Sequence, residues 1–379
     1  MSSMIKIFRT RAAQDHILNV RGRLDIQHPE IAKIKSIQDG ITEKVMQQPG
    51  VFGMGIGLDR NRNPILQIYI DKDNADSRTT ANNLLAQHGD LRLEILLRER
   101  FRTQQGAKPL IPCLGVSGGL GLDIVSLASS DNCCVGTLGC LVSIGGIPHI
   151  LSNWHVLEGS TYEIETCTSY QMENTGDDGA CGSWPCGSCL GTTVFTRPCA
   201  TGDPVVSPGL VDLAVPCAYW LSQIVGFLQK KFSLPSNNVD CAVAQLRTGL
   251  LRSDGYVRNI GVPSHLTLVA ALGQGVQKTG RTTDTTTGTV TSINLSTTID
   301  YSNSCGGDTA FSKTFTNQIE VTGDSGMFSD HGDSGSVVFE AGATNPRAVG
   351  LLFAGGGNST VCNPINDVLT FLGATMVGV

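Results

Sequence analysis

The spacing of hydrophobic positions changes character along the chain. From Pro29 to Met46, "PEIAKIKSIQDGITEKVM", apolar residues recur at helical spacing and predict a helix, which Pro49-Gly50 stops. The runs "VFGMGIGL" and "ILQIYID" flank the polar stretch "DRNRNP" and predict a hairpin. "TTANNLLAQHGD" predicts a short capped helix and "LRLEILL" a third strand. Residues 28–112 therefore form a small α+β domain, α-β-β-α-β, behind a mildly basic arm of weak pattern at 1–27.

Around "QQGAKPLIPC" the charged residues stop and the texture changes, which places the boundary at about residue 112. Beyond it lie short strand-like runs between glycine turns: "CLVSIGGIPHILS", "VDCAVAQL", "TLVAALG", "GTVTSINLS", "TNQIEVT", "SGSVVFE" and "AVGLLFAGG". Even spacing of this kind predicts a sandwich or a pair of barrels over 113–379. A Cys/Gly-rich insertion near 167–205 interrupts the pattern, and "NPINDVLTFLGATMVGV" predicts a capped terminal helix.

Composition narrows the function. Only 16% of the 379 residues are charged, the net charge is −6, and 45 are glycine. With no Lys/Arg stripe, no nucleic-acid partner is expected. With no run of 18 apolar residues, no membrane span is expected either. The first residues lack the apolar core of a secretory signal, so the expected location is cytoplasmic, where most of the 13 cysteines should be free thiols. The spacing of Cys181, Cys186 and Cys189 in "CGSWPCGSC" is compatible with a zinc knuckle, but free thiols or an adventitious disulfide are the plainer reading, and neither metal nor cofactor is expected.

Nucleophilic serine chemistry needs a hydroxyl, an imidazole base, a carboxylate to orient the base and N–H groups for the oxyanion. "ILSNWHVL" puts His155 at a strand-to-loop turn, "NNVDCAVAQL" puts Asp240 at a strand start, and "HGDSGSVVF" puts Ser334 before a strand. Both the serine and the acid have near-duplicates. Ser325, in a first Gly-Asp-Ser-Gly, is followed by Met327, Phe328 and turn residues, whereas Ser334 leads into a packed strand. Asp212, in "LVDLAVP", is followed by Pro216, which cannot donate to a central ladder. Ser334 and Asp240 are therefore favoured.

The order His, Asp, Ser, with "VQKTGRTTDTTTGTVTSI" between the last two, resembles the chymotrypsin-like (trypsin-type) serine peptidases, above all intracellular bacterial and plant members. The resemblance spans roughly residues 115–379. It implies a mainly β chain with two six-stranded antiparallel barrels after the α+β domain, and a serine endopeptidase acting on protein or peptide substrates. It implies an oxyanion hole from the N–H groups of Gly332 and Ser334, and a substrate pocket at Phe328, Ser329, Phe353, Ala354 and Gly355. No acidic residue stands at the pocket base if Phe328 occupies it, so an apolar side chain is the expected choice. Asp333 should need a buried cation, supplied by Lys278 or by Arg281, which would let the uncleaved chain act. A silent or conditionally active scaffold, with partner binding or self-association through the N-terminal domain, is the alternative.

Overall fold

The computed structural model describes residues 22–104, 134–157, 238–245, 253–302 and 309–379, with short strand segments at 106–107, 117–119, 122–123, 127–129, 163–165 and 192–195. Asp212 and the cluster Cys181, Cys186 and Cys189 lie outside the described residues.

Helix α1 (Pro29–Met46) starts where Pro29 pre-sets the first turn and the His28 ring accepts from Glu30 N–H. It buries Ile31 and Val45, and its one buried polar side chain, Gln38, donates to the carbonyls of Met54 and Asn294 at 3.0 and 2.9 Å. Strands β1 (Val51–Leu58) and β2 (Pro64–Asp71) form the hairpin, helix α2 (Ser77–Gln87) crosses over, and β3 (Leu93–Arg98) returns parallel to β2. A short strand β4 (Phe101–Thr103) comes at once after it. The N-terminal elements thus fall in the predicted order.

The next strands are β5 (Cys140–Ile144), β6 (Ile147–Ser152) and β7 (Ala242–Gln245). After them come β8 (Gly275–Gly280), β9 (Asp284–Ser302), β10 (Thr309–Gly323), β11 (Val337–Glu340), β12 (Ala348–Gly356) and β13 (Ser359–Pro364). The order β8-β11-β12-β13-β10-β9 closes on itself because β8 also pairs with β9, which makes a six-stranded antiparallel barrel. Its interior holds Val276, Val290, Val321, Phe328, Val338 and Leu352. Strands β5, β6 and β7 belong to a second sheet, completed by the short segments. The core between the two sheets sets Val142, Leu151 and Val243 against Phe339 and Leu351. The described residues are mainly β, as expected, with one closed six-stranded antiparallel barrel, a second sheet, and the α-β-β-α-β elements preceding them.

Two elements differ from expectation. The terminal helix α3 (Ile365–Leu372) ends at Gly373, whose φ of 61° is left-handed. Beyond it the chain forms a strand, β14 (Thr375–Met376), pairing Met376 with Val142 of the second sheet. The run "TLVAALG" forms no strand; it meets β12 only at one bridge, Thr267 to Ala348, and leaves Val269 exposed. Its apolar run has no free ladder to join, because β11 and β13 already flank β12.

The N-terminal strands do not form a sheet of their own. β9 and β10 extend past the barrel as a long hairpin, and β1 pairs with the far half of β9, Gly53 with Thr297 and Ile56 with Ile293. An aromatic cluster joins the units: Phe52, Tyr69 and Phe101 from the N-terminal side, Tyr301, Phe315 and Phe353 from the other. Phe101 meets the Phe52 ring edge-on at 5.4 Å. Below this cluster Arg98 pairs with the fully buried Glu320, which also accepts from Tyr69 Oη at 2.6 Å. Arg100 grips Asp300 with two nitrogens, at 2.9 and 3.0 Å.

Candidate active site

His155 sits on one helical turn, Trp154–Leu157, directly after β6, and Asp240 stands just before β7, the neighbour of β6. Strand pairing therefore brings imidazole and carboxylate together across 85 residues of sequence. His155 Nδ1 lies 2.6 Å from Asp240 Oδ2. The other carboxylate oxygen accepts from Trp154 N–H at 2.8 Å, and Tyr301 Oη donates to Oδ2 at 2.8 Å. His155 and Asp240 are buried, and the Tyr301 ring stands edge-on to the imidazole at 6.0 Å.

The backbone of Asp240 is held as firmly as its side chain. Asn153 donates to its carbonyl at 2.8 Å, and Asn363 accepts from its N–H at 3.1 Å while donating to its carbonyl at 3.3 Å. Tyr301 and Asn363 escaped the sequence reading. Asn363 carried a usable signal, a polar residue inside the apolar run "TVCNP"; Tyr301 carried none.

Ser334 is buried on the turn before β11 and belongs to the barrel. That turn docks on the second sheet: Thr137 N–H donates to the Ser334 carbonyl at 2.6 Å, and Thr137 Oγ1 donates to the Gly332 carbonyl at 2.9 Å. Gly335, with φ of 95°, lies so close that a Cβ there would run into Ser152 Oγ, three residues before His155. Ser334 and His155 thus come from different sheets, and Ser334 Oγ donates to the Phe353 carbonyl at 3.3 Å. Ser325, by contrast, is exposed on the loop after β10.

Asp333 is fully buried and lies 3.1 Å from Lys278 Nζ, itself fully buried. Four further donors meet the carboxylate: Thr282 N–H at 2.7 Å, Thr283 N–H at 3.2 Å, Thr283 Oγ1 at 2.6 Å and Asp330 N–H at 3.0 Å. Burial pushes the Lys278 ammonium pKa down, against the pull of Asp333. Arg281 instead uses its backbone N–H on Thr137 Oγ1. The buried thiols Cys140, Cys241 and Cys362 pack as small hydrophobes; burial pushes Cys140 up to about 12.

A segment of the chain itself runs beside these groups. β4 runs antiparallel to the end of β12, Thr103 opposite Ala354 and Arg102 opposite Gly355. Gln104 N–H donates to the Phe353 carbonyl at 3.4 Å, and Gly332 N–H donates to the Gln104 carbonyl at 2.6 Å. Ser329 Oγ donates to Gln104 Oε1 at 2.6 Å and lies 2.6 Å from Thr360 Oγ1. Four of the five expected pocket residues therefore surround Gln104 and its neighbours. Phe328 does not: its ring turns into the barrel core, and it is Ser329 that meets the Gln104 carboxamide.

No family model and no curated protein matches the chain. Among solved structures, a glutamic acid-specific serine protease is 17% identical with a TM-score of 0.38, covering 66% of this chain and 97% of its own. Nocardiopsis protease gives 16% and 0.39, with 69% and 98% covered, and Cellulomonas bogoriensis chymotrypsin gives 15% and 0.38, with 70% and 98% covered. Likeness this distant does not bear on chemistry.

Proposed function

We propose that the chain is a serine endopeptidase that works through His155, Asp240 and Ser334. The observation that carries this reading is the His155–Asp240 contact of 2.6 Å, with the carboxylate partnered by Trp154 N–H and Tyr301 Oη and the Ser334 turn packed on Thr137 and on Ser152 of the strand that leads to His155. Asp240 fixes the imidazole tautomer with Nδ1 protonated, which leaves Nε2 to act as base. His155 takes the Ser334 proton as the hydroxyl attacks a peptide carbonyl, then passes it to the leaving amine. Gly332 N–H meets the developing oxyanion, and Lys278 with Asp333 holds the turn that aims it.

A conditionally active form of the same enzyme is favoured over an open one by a single fact: Phe101–Gln104 already lies in the cleft.

Fluorophosphonate labelling tests the reading, applied to the native chain and to Gln104→Pro. The latter lacks the N–H that bonds Phe353 and the amide that bonds Ser329, so it empties the pocket. An adduct on Ser334 in Gln104→Pro, absent from Gln104→Pro/Ser334→Ala and retained in Gln104→Pro/Ser325→Ala, is expected. A folded Gln104→Pro chain with no adduct overturns the triad.

A further inference from the structure

The contacts of Gln104 are those a bound substrate makes at the residue whose carbonyl is attacked. The strand pairs antiparallel with β12, as an extended peptide adds to a sheet edge. The carbonyl oxygen points at the Gly332 N–H, and the side chain enters the pocket beside Ser329 and Gly355. Gly355 has no room for a Cβ, which would collide with the Gln104 amide. We propose that the chain cuts its own peptide bond between Gln104 and Gln105, and that the pocket selects glutamine at that position. This rests on the peptidase reading above and names its first substrate.

Three features hold the segment in register. Phe101 is fully buried against Phe52 and Tyr69, Arg100 is clamped to Asp300, and Arg98 to Glu320. The anchors lie three, four and six residues before the scissile carbonyl, so a shift by one residue would pull Phe101 from its cluster. Holding the reacting groups within one molecule replaces a bimolecular encounter by a fixed geometry.

Selectivity comes from the donor that reads the side chain. Ser329 is a neutral hydroxyl with one proton, which it gives to Gln104 Oε1. A carboxylate there would exchange its hydration for one neutral donor, and a leucine would leave the buried Ser329 with Thr360 Oγ1 as its one remaining partner of the two.

The chemistry balances with water as the only co-reactant. Ser334 Oγ bonds to the Gln104 carbonyl carbon and its proton goes to His155. The carbon–nitrogen bond breaks, the proton passes to the nitrogen of Gln105, and a new amino terminus leaves. Water then adds to the acyl carbon, gives a proton through His155 back to Ser334, and frees Gln104 as a carboxylate. The N-terminal product stays bound through β1 and β4, so the cut enzyme carries its own product in the cleft.

The test tracks the intact full-length chain over time by denaturing electrophoresis and mass spectrometry, beside Ser334→Ala, Gln104→Glu, Gln104→Leu and Gln104→Pro. Expected are fragments ending at Gln104 and beginning at Gln105, a rate independent of chain concentration, and no cleavage in Ser334→Ala. Gln104→Glu and Gln104→Leu should slow by roughly 10- to 100-fold for loss of one buried polar match. Cleavage at another bond, cleavage in Ser334→Ala, or equal rates for Gln, Glu and Leu would overturn the proposal. A stable native chain beside a Gln104→Pro chain that labels at Ser334 overturns self-cleavage alone and leaves the peptidase standing. A stable chain without labelling removes both.

Discussion

Replacing Lys278 by methionine isolates the buried ion pair beneath the proposed nucleophile. Nζ lies 3.1 Å from Asp333 Oδ2, and neither side chain is exposed to water. Methionine keeps the stem volume next to the Phe328 ring, which Nζ approaches to 6.0 Å, so the change removes charge without opening a cavity. Breaking a buried pair by deleting one partner costs about 3–5 kcal/mol, because the other charge stays uncompensated. Asp333 retains four hydrogen-bond donors, which sets the expectation at the lower end, about 3 kcal/mol. That is a fall of roughly 150-fold in the folded-to-unfolded ratio.

The assay is equilibrium denaturation in a Ser334→Ala background, where no self-cleavage intervenes, comparing Lys278→Met with the unsubstituted pair. Adding Asp333→Asn to Lys278→Met should recover at least about 1 kcal/mol, since a neutral amide needs no cation. Asparagine recovers only part, because its NH2 faces the Asp330 N–H with a donor instead of an acceptor. A loss below about 1 kcal/mol in Lys278→Met, or no recovery in the double variant, refutes the view that this charge pair shapes the turn.

In the Gln104→Pro background, where the pocket is free, Asp240→Asn should lower turnover of a glutaminyl peptide by roughly 10⁴-fold through the wrong imidazole tautomer, with circular dichroism unchanged. Tyr301→Phe, which removes one donor to that carboxylate, should cost about tenfold in kcat with little change in KM; an effect confined to KM would contradict its placement on Asp240. Burial opposes ionisation of Asp300, yet hydrogen bonds from Arg100 and Ser312 together with the Arg100 charge hold its pKa below the ordinary value. Its folded pKa being the lower one, the stability it contributes is complete above the unfolded value of about 3.9 and is lost as pH falls through the depressed one. The gap in thermal midpoint between the Ser334→Ala chain and its Asp300→Asn variant should therefore narrow below about pH 4; a gap constant from about pH 6 to 3 would contradict this.

Much of this molecule is decided by local order along the chain. The α1 spacing, the hairpin around "DRNRNP" and the glycine-punctuated strands are properties of adjacent residues, so periodicity and turn chemistry expose them. The order of His155, Asp240 and Ser334 is equally readable, because each depends on residue type and immediate context, whereas the need of Asp333 for a cation comes only from the resemblance. Pairing across long separations is not. That Tyr301 donates to Asp240, that Asn363 holds its backbone, and that Phe328 turns inward while Ser329 faces the pocket depend on which strands meet. β4 is the sharpest case. "FRTQ" has the pattern of an ordinary linker strand, and only the long β9–β10 hairpin, the aromatic cluster and the edge of β12 give it a place in the cleft. A strand's unpaired edge will accept any extended segment of suitable register, so its partner is chosen by tertiary packing and not by the segment's own sequence.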